Sequence, residues 1–233
     1  MERIVILTGA GVSAESGLGT FRDTDGLWTR YDLEEVATPE GFARNPGLVH
    51  EFYNARRANT LAATPNAAHQ ALARLERDWP GEVVLVTQNV DDLHERAGSV
   101  ALIHMHGVLT GALCAACGHR WPAPRAMDMT DLCPSCDRAA TRPDIVWFGE
   151  MPYQMDRIYD AVARADLFVS IGTSGEVYPA AGLVEEARMA GAETVEINLE
   201  PTRRPGLFDE VIAGHASRAV PSWVERIIAG KGG

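Results

Sequence analysis

Residues 4–14 read Ile4-Val5-Ile6-Leu7-Thr8-Gly9-Ala10-Gly11-Val12-Ser13-Ala14. The first five of these residues predict a buried β-strand, and the segment from Gly9 onward has the G-x-G-x-x-A pattern of a tight turn into a helix. Such a turn lets backbone N–H groups and the start of a helix approach a pyrophosphate. Because glycine pairs often follow strands, this turn alone leaves open whether the protein binds a dinucleotide.

Four further apolar runs are continuous rather than alternating, which suits a sheet covered on both faces. They are residues 83–87, 102–105, 167–171 and 195–199. Helical patterns lie between them, at residues 67–78 with Asn66 as the N-cap and at residues 180–190 with Gly191 after the end. Strands that alternate with helices predict an α/β fold with a doubly wound, Rossmann-like parallel sheet.

All four cysteines lie in one short stretch, as Cys114, Cys117, Cys133 and Cys136. The spacing C-x2-C-x15-C-x2-C is typical of a tetrahedral Zn²⁺ site in which two tight turns each supply two thiolates. Four thiolates leave no position for water or substrate, so we expect the zinc to be structural. The alternatives are two disulfides or a zinc ribbon that binds nucleic acid. His119 follows Cys117 too closely to be a ligand, and we expect it in a solvated loop.

Two stretches do not follow the alternation of strands and helices. Residues 36–64 look helical, and residues 111–143 hold the cysteines. We expect both to be insertions that form a smaller helical and zinc-binding module. The prediction is one domain, 1–233, whose Rossmann-like core comprises residues 1–35, 65–110 and 144–233.

The composition is that of a globular protein, with 46% hydrophobic and 23% charged residues in 233. The formal charge of −11 argues against direct nucleic-acid binding. No run of about 18 apolar residues is present, so we expect no membrane span. Because the chain starts directly with a strand and lacks a basic leader, we expect a cytoplasmic protein, and we expect it to act as a monomer.

The region after the glycine turn departs from ordinary dehydrogenases. Those proteins have a second strand that ends in an acidic residue, which holds the adenosine ribose. Here the chain continues as Ser16-Gly17-Leu18-Gly19-Thr20-Phe21-Arg22-Asp23, which is polar and rich in glycine. This segment predicts a loop over the nicotinamide half of a bound dinucleotide.

Several segments together resemble the sirtuin family. They are Gly9-Ala10-Gly11-Val12-Ser13-Ala14-Glu15-Ser16-Gly17 with Phe21-Arg22, Thr87-Gln88-Asn89-Val90-Asp91-Asp92-Leu93-His94, Ile103-His104-Met105-His106-Gly107, Pro143-Asp144-Ile145-Val146-Trp147-Phe148-Gly149-Glu150, Gly172-Thr173-Ser174 and Ile197-Asn198-Leu199-Glu200. The resemblance covers nearly the whole chain, in order, with the cysteines where sirtuins carry zinc. It implies an NAD-dependent protein-lysine deacylase with NAD as co-substrate, one structural Zn²⁺, and acyl-lysine proteins or peptides as partners.

The resemblance also implies a set of NAD-binding residues. They are Gly9, Ala10, Gly11, Ser13, Ala14, Glu15, Gly17, Thr20, Phe21, Arg22, Trp28, Gln88, Asn89, Val90, Asp91, Gly172, Thr173, Ser174, Asn198, Leu199, Glu200 and Ala216. Within this set, residues 172–174 are expected at the phosphates, residues 198–200 at the adenosine ribose, and Ala216 at the adenine through its backbone. These positions follow predicted strands, at the sheet edge where α/β proteins bind ligands.

The implied reaction needs a base. In it, the acyl oxygen of a modified lysine attacks C1′ of the nicotinamide ribose, nicotinamide leaves, and water finally yields lysine and O-acyl-ADP-ribose. A histidine can accept a proton at neutral pH without extreme tuning. His104 and His106 would share one face of a strand, so the residues alone do not choose between them. The resemblance selects His106 as general base and places Asn89 near the chemistry; His104, His94 and His69 are expected to be structural.

Two further groups of residues are implied to bind the substrate. Residues Val146, Trp147, Phe148, Gly149 and Glu150 resemble the segment that pairs with the substrate peptide as an added strand. Helix positions Tyr53 and Arg56 fall on the apolar face of a helix that starts after Asn45, whereas Arg57 is expected to be solvated. The pair resembles that of class III sirtuins, where it holds the carboxylate of succinyl-, malonyl- or glutaryl-lysine, and Ala37 matches the small residue that widens the pocket.

The prediction is therefore a deacetylase and desuccinylase of the sirtuin type. One alternative is an NAD-dependent protein mono-ADP-ribosyltransferase, which also cleaves nicotinamide but transfers ribose to a protein. Another is a non-enzymatic binding protein that uses the zinc module for recognition.

Overall fold

A computed structural model describes residues 1–19, 31–202, 204 and 206–230. The expected cofactor residues Thr20, Phe21, Arg22 and Trp28 lie outside these ranges. The strands, in chain order, are β1 (Arg3–Thr8), β2 (Glu82–Thr87), β3 (Leu102–His104), β4 (Gly107–Cys114), β5 (Arg120–Pro122), β6 (Thr141–Ile145), β7 (Leu167–Ile171), β8 (Glu193–Asn198) and β9 (Glu210–Ala213). The α-helices are α1 (Ala10–Ser13), α2 (Leu33–Val36), α3 (Pro39–Arg44), α4 (Pro46–Ala62), α5 (Ala67–Asp78), α6 (Leu93–Ala97), α7 (Met155–Ala163), α8 (Leu183–Met189) and α9 (Ala216–Ala229).

The larger sheet has six parallel strands in the order β3-β2-β1-β7-β8-β9. This is the Rossmann order. The chain builds the sheet outward in one direction from β1 to β3 and in the other direction from β7 to β9, so the order reverses between the neighbouring strands β1 and β7. All five predicted strands are present in it. β9 was not predicted, because its residues alternate between partly buried and exposed, as befits an edge strand.

Helices cover both faces of this sheet, as the continuous apolar strands predict. On one face, α5 and α9 bury Leu72, Leu75 and Trp223 against β1 and its neighbours. On the other face, α7 and α8 pack Ile158 and Leu183 against the sheet. The cap at Asn66 is present, since its side chain accepts a hydrogen bond from the N–H of Ala68.

The smaller sheet is antiparallel, in the order β5-β4-β6. A third apolar cluster joins it to α2 and α4 through Val36, Phe52, Leu109 and Trp147. The helices expected in residues 36–64 are therefore present. The expected module borders at 110/111 and 143/144 fall inside β4 and β6, so the division into units at those residues stays a prediction.

Arg57 corrects one expectation. It is buried rather than solvated, with 3% of its surface exposed. Its Nε donates to the carbonyl of Leu109 at 2.7 Å and its Nη1 to Oδ1 of Asn54 at 2.8 Å. Helical periodicity missed this because α4 contacts β4 on one side and the zinc-binding segment on another. Among the described residues, no helix has both the length and the apolar character that crossing a membrane requires.

Candidate active site

The glycine turn after β1 packs directly against the turn after β7. The N–H of Gly9 donates to the carbonyl of Ile171 at 3.0 Å, and that of Gly11 to the carbonyl of Gly172 at 2.9 Å. A Cβ on Gly11 would lie 2.7 Å from the Cα of Gly172. Because β1 and β7 flank the point where strand order reverses, these turns form the crevice in which Rossmann-like sheets bind their ligands.

The helix that follows β1 is short. It consists of the single α-helical turn α1 and a 3₁₀ turn at Ala14–Ser16, and it ends at Gly17 with φ of +85°. The carboxylate of Glu15 accepts hydrogen bonds from the N–H and the hydroxyl of Ser217, at 2.9 and 2.7 Å. Glu15 thus joins the glycine turn to the start of α9, where the expected adenine residue Ala216 lies.

A buried polar network lies behind β1 and β2. The hydroxyl of Ser13 donates to Oδ2 of Asp91 at 3.0 Å and accepts from Nδ2 of Asn89 at 3.1 Å. Nε2 of His69 lies 3.3 Å from the same hydroxyl. Burial raises the pKa of Asp91, while hydrogen bonds from Leu93 and Ser13 oppose that rise. The network fixes the side chains of Asn89 and Asp91 beside the glycine turn.

His106 lies at the same edge of the sheet, and its Nδ1 is 3.2 Å from the carbonyl oxygen of Gln88. Because a carbonyl only accepts hydrogen bonds, Nδ1 carries the proton and Nε2 carries the lone pair. Within the described ranges, Nε2 of His106 has no hydrogen-bond partner. Burial lowers the pKa of His106, so the ring is neutral at neutral pH. Nε2 of His106 can therefore accept a proton, on the side of the ring opposite the contact of Nδ1 with Gln88.

His104 differs, since both of its nitrogens are engaged. Nδ1 is 3.1 Å from the carbonyl of Asn89, and Nε2 is 2.7 Å from Oε1 of Glu95. His69 and His94 are buried and contact each other with tilted rings, whose centroids are 4.8 Å apart. The geometry therefore distinguishes between His104 and His106, which the residues alone did not.

The turns after β7 and β8 meet at the far side of the crevice. Nδ2 of Asn198 donates to the carbonyl of Thr173 at 2.7 Å, and the carbonyl of Asn198 accepts from Gly214 at 3.0 Å. Ser174, Leu199 and Glu200 are exposed there. A line of glycine turns, amides and hydroxyls thus runs along one sheet edge from Asn89 to Ala216. These groups fit a dinucleotide, because the glycine turns form a close-packed cradle and the side chains beside it supply polar groups for ribose hydroxyls.

In the segment expected to pair with a peptide, residues 146–150, several backbone N–H groups already form hydrogen bonds within the protein. The N–H of Val146 donates to the carbonyl of His106 and that of Phe148 to the carbonyl of Ala37, both at 2.9 Å. The N–H of Trp147 donates to the carboxylate of Glu150 at 2.8 Å. Trp147 is 3% exposed and Phe148 is 51% exposed. An added peptide strand therefore has to use the remaining backbone groups of residues 146–150.

The side chains expected at the acyl group lie against this segment. The hydroxyl of Tyr53 accepts a hydrogen bond from Nε1 of Trp147 at 2.9 Å. The guanidinium carbon of the half-buried Arg56 is 5.7 Å from the ring centroids of both Phe52 and Tyr53. Burial raises the pKa of Tyr53, which keeps its hydroxyl protonated. The structure thus brings Tyr53 and Arg56 together with the buried Ala37 near the peptide segment.

The four cysteines converge at the end of β4. All four sulfurs lie within 4.8 Å of one another, and the pairs Cys114–Cys136 and Cys117–Cys133 are each separated by 3.7 Å. Disulfide sulfurs are about 2.05 Å apart, so these cysteines are not bridged. Tetrahedral Zn–S bonds of about 2.3 Å place sulfurs about 3.8 Å apart. The cluster therefore fits one structural zinc ion.

Comparison with known proteins agrees with this geometry. A profile of the Sir2 family matches residues 9–179. The chain belongs to the Sir2 family. This Sir2-family chain is 59% identical over 231 residues to the NAD-dependent protein deacylase of Caulobacter vibrioides, with 97% of each chain covered. It is 55% identical over 229 residues to that of Vibrio cholerae, covering 97% of this chain and 93% of the relative.

A solved structure of a Sir2 homologue in complex with NAD superimposes with a TM-score of 0.89 at 42% identity, covering 98% of this chain and 90% of that one. The resemblance to sirtuins and the Rossmann-like fold with a zinc-binding module are thereby confirmed. The roles of the individual site residues stay predictions.

Some residues at the site of this Sir2-family chain were missed by the sequence analysis. Thr8 and Thr87, in register at the ends of β1 and β2, hydrogen-bond through their hydroxyls at 2.8 Å, and Thr87 also accepts from the N–H of Asn89. A polar residue that ends an apolar strand is a signal that could have found them. Arg142 stacks on Trp147 and pairs with Glu150 at 2.7 Å, and nothing local in the sequence indicates this.

Proposed function

We propose that the protein is an NAD-dependent protein-lysine deacylase, which releases nicotinamide and O-acyl-ADP-ribose. The observation that carries the proposal is the position of His106. Its Nε2 lone pair lies at the edge of the sheet where the turns of β1 and β7 form a dinucleotide crevice. The names of the similar Sir2-family proteins and the NAD complex of a homologue support the same activity.

The residues around the crevice would hold NAD. Bound NAD supplies C1′ of the nicotinamide ribose, the carbon to which the acyl oxygen is transferred. The close-packed turns at residues 9–11 and 172 lie where the phosphates are expected, and Asn198 lies where the adenosine ribose is expected. Asn89 and Asp91, held by Ser13, are suited to the nicotinamide half because their side chains lie at the end of β2.

His106 serves as the general base. A neutral imidazole whose Nδ1 proton is donated to Gln88 can accept a ribose hydroxyl proton on Nε2. Its lowered pKa keeps it unprotonated at neutral pH, which a base requires. Val146 donates to the carbonyl of His106, so the peptide segment and the base are fixed relative to each other.

Tyr53 and Arg56 would recognise an acidic acyl group. The hydroxyl of Tyr53 accepts from Trp147, so its own proton can be donated to a carboxylate. Arg56, held across the faces of Phe52 and Tyr53, adds a positive charge beside it. We infer that the protein removes succinyl and malonyl groups more efficiently than acetyl, while still accepting acetyl-lysine.

The test of the activity is product analysis by mass spectrometry. Matched acetyl-, succinyl- and malonyl-lysine peptides are incubated with the protein, with and without NAD, and kcat/KM is compared. The proposal predicts free lysine peptide, nicotinamide and O-acyl-ADP-ribose in equal amounts, with the acidic acyl groups preferred. Peptide or protein that carries ADP-ribose would instead support the mono-ADP-ribosyltransferase alternative, and no NAD consumption with any peptide would contradict both.

A further inference from the structure

His104 ends β3, two residues before the proposed base, and its ring makes two short contacts. Nδ1 is 3.1 Å from the carbonyl oxygen of Asn89, and Nε2 is 2.7 Å from a carboxylate oxygen of Glu95 on α6. The side chain is 13% exposed, whereas that of Glu95 is 44% exposed. The His104 ring is therefore buried, and its partner Glu95 is the more exposed member of the pair.

The two partners determine the protonation of the ring. A carbonyl oxygen and an ionised carboxylate both accept hydrogen bonds and cannot donate them. Each nitrogen of His104 must therefore carry a proton for both contacts to be hydrogen bonds, which makes the ring an imidazolium. His106 differs, because only its Nδ1 faces an acceptor.

The charged groups around His104 agree with this. Burial alone would lower the pKa of His104, but the hydrogen bond and charge of Glu95, the carbonyl of Asn89 and the charge of Asp91 together raise it. The facing residue His94 on α6 is buried, and its own pKa is well below the usual value, so it adds no positive charge. His104 is thus a cation that the negative charges of Glu95 and Asp91 stabilise.

The contact fixes the backbone of the loop that carries Asn89. His106 and His104 bind two consecutive carbonyls, those of Gln88 and Asn89. The N–H of Asn89 donates to the hydroxyl of Thr87 at 3.0 Å. The backbone of Asn89 is therefore held on both sides while its side chain reaches Ser13.

We propose that His104 is a positioning residue, which holds Asn89 in place as a cation locked by its ion pair with Glu95. It works beside a neutral His106, so one histidine of the His104-Met105-His106 segment is charged and the other is uncharged in the same pH range. The effect on turnover rests on the proposed function, because it acts through Asn89. The charge state does not depend on that function.

The first experiment measures the charge state without any substrate. Long-range ¹H–¹⁵N correlation spectra of the full chain, labelled with ¹⁵N-histidine, report the protonation of each ring nitrogen across a pH titration. We expect a pH range in which His104 is protonated on both nitrogens while His106 is protonated on Nδ1 alone. Glu95→Gln should lower the midpoint of His104 by about one pH unit or more, while Glu186→Gln, on the exposed face of α8, should not move it. A neutral His104 in the unaltered protein, or no shift in Glu95→Gln, would overturn the proposal.

The second experiment measures turnover. His104→Ala should lower kcat by about tenfold or more, the value of one charge-assisted hydrogen bond, with the peptide KM unchanged. In Glu95→Gln, kcat should fall over the pH interval in which His104 loses its proton, an interval where the unaltered protein stays constant. Unchanged kcat in His104→Ala would exclude the positioning role. Absence of turnover in the unaltered protein would contradict the proposed function and leave the spectroscopic result intact.

Discussion

Gly172 links the turn after β7 to the glycine turn after β1. Its φ is +61°, and a Cβ there would lie 2.6 Å from the backbone nitrogen of Val12. We expect Gly172→Ala to lower the free energy of unfolding by about 2 kcal/mol or more, since a left-handed conformation alone costs about 1–2 kcal/mol and the clash is with backbone. The KM for NAD should rise as the two turns separate. Urea unfolding and steady-state kinetics measure both.

The matched control is Gly191→Ala. Gly191 has a φ of +88° with nothing within 4 Å of the added Cβ, so it keeps the strain and lacks the clash. We expect a loss of only about 1 kcal/mol and an unchanged KM for NAD. Equal effects of the two substitutions would show that the close approach of the two turns is unimportant.

Arg56 carries the expected preference for acidic acyl groups. Arg56→Met keeps the apolar contact with Phe52 and Tyr53 but removes the charge. We expect kcat/KM for a succinyl peptide to fall about 10- to 150-fold, the value of a charge-assisted hydrogen bond of about 1.5–3 kcal/mol, with little change for an acetyl peptide. Arg164→Met, directly after the end of α7, is the control, because its partner Asp160 is on the surface. Equal loss of both activities would defeat the assignment of Arg56.

The elements connect the zinc cluster to the site. β4 begins at Gly107, directly after His106, and ends at Cys114; β6 pairs with β4 and leads into the peptide segment. β4 therefore connects His106 to the cysteine ligand Cys114, and β6 connects the cysteine-containing segment to Val146. The small sheet also packs on α4, which carries Tyr53 and Arg56.

Removing the metal should consequently disrupt the site as well as the module. We expect one zinc per chain by atomic absorption. Its complete removal by a chelator should lower Tm and abolish turnover, since structural zinc binding is worth about 10–16 kcal/mol in small zinc domains. Cys133→Ser should behave like the chelated protein, whereas Ser135→Ala, an exposed neighbour, should not. Full activity in protein shown to be free of metal would contradict this account.

At the scale of the whole molecule, the sequence predicted the sheet because five of its strands are continuous apolar runs, and four of them, β1, β2, β7 and β8, lie inside the sheet. It also predicted the helices whose caps are local, such as α5 with Asn66. Edge strand β9 and helices α7 and α9 were missed. The burial of β9 alternates, and α9 contains Pro221 inside the helix, which a sequence pattern reads as a break.

The site was less accessible to sequence reasoning than the fold. The motifs identified His106, Asn89 and the cysteines by resemblance, yet the choice between His104 and His106 depends on contacts with residues 88, 89 and 95. The burial of Arg57 depends on β4, which lies about fifty residues further along the chain. Such contacts between distant segments leave no periodicity in the sequence.

Three buried histidines make the folded protein sensitive to acid. Burial lowers the pKa of His69 to about 4, that of His94 well below its usual value, and that of His50 as well. Since these pKa values are lower in the folded than in the unfolded chain, stability should fall as the pH drops below about 6.5, by about 1 kcal/mol at pH 5.5 for His69 alone. Urea unfolding at about pH 7.5 and 5.5 measures this.

His50 provides the control for this loss. Both of its ring nitrogens are buried without a hydrogen-bond partner in the described part of the chain. His50→Leu should therefore reduce the loss of stability at low pH, whereas His119→Gln, at an exposed position, should leave it unchanged. Equal stability at both pH values in the unaltered protein would contradict the burial of neutral histidines.

The central claim is that His106 accepts a proton on Nε2 while the acyl group passes from lysine to the ADP-ribose part of NAD and nicotinamide leaves. Its most direct test is the kcat/KM of His106→Ala with an acyl-lysine peptide, measured with NAD binding and Tm on the same preparations. The account predicts a loss of about a hundredfold or more, with NAD binding and Tm retained. On the acid side, kcat/KM of the unaltered protein should decline only once the pH falls below about 6.5, because the pKa of His106 is lowered. Turnover that persists in His106→Ala at the level of the unaltered protein would contradict the account.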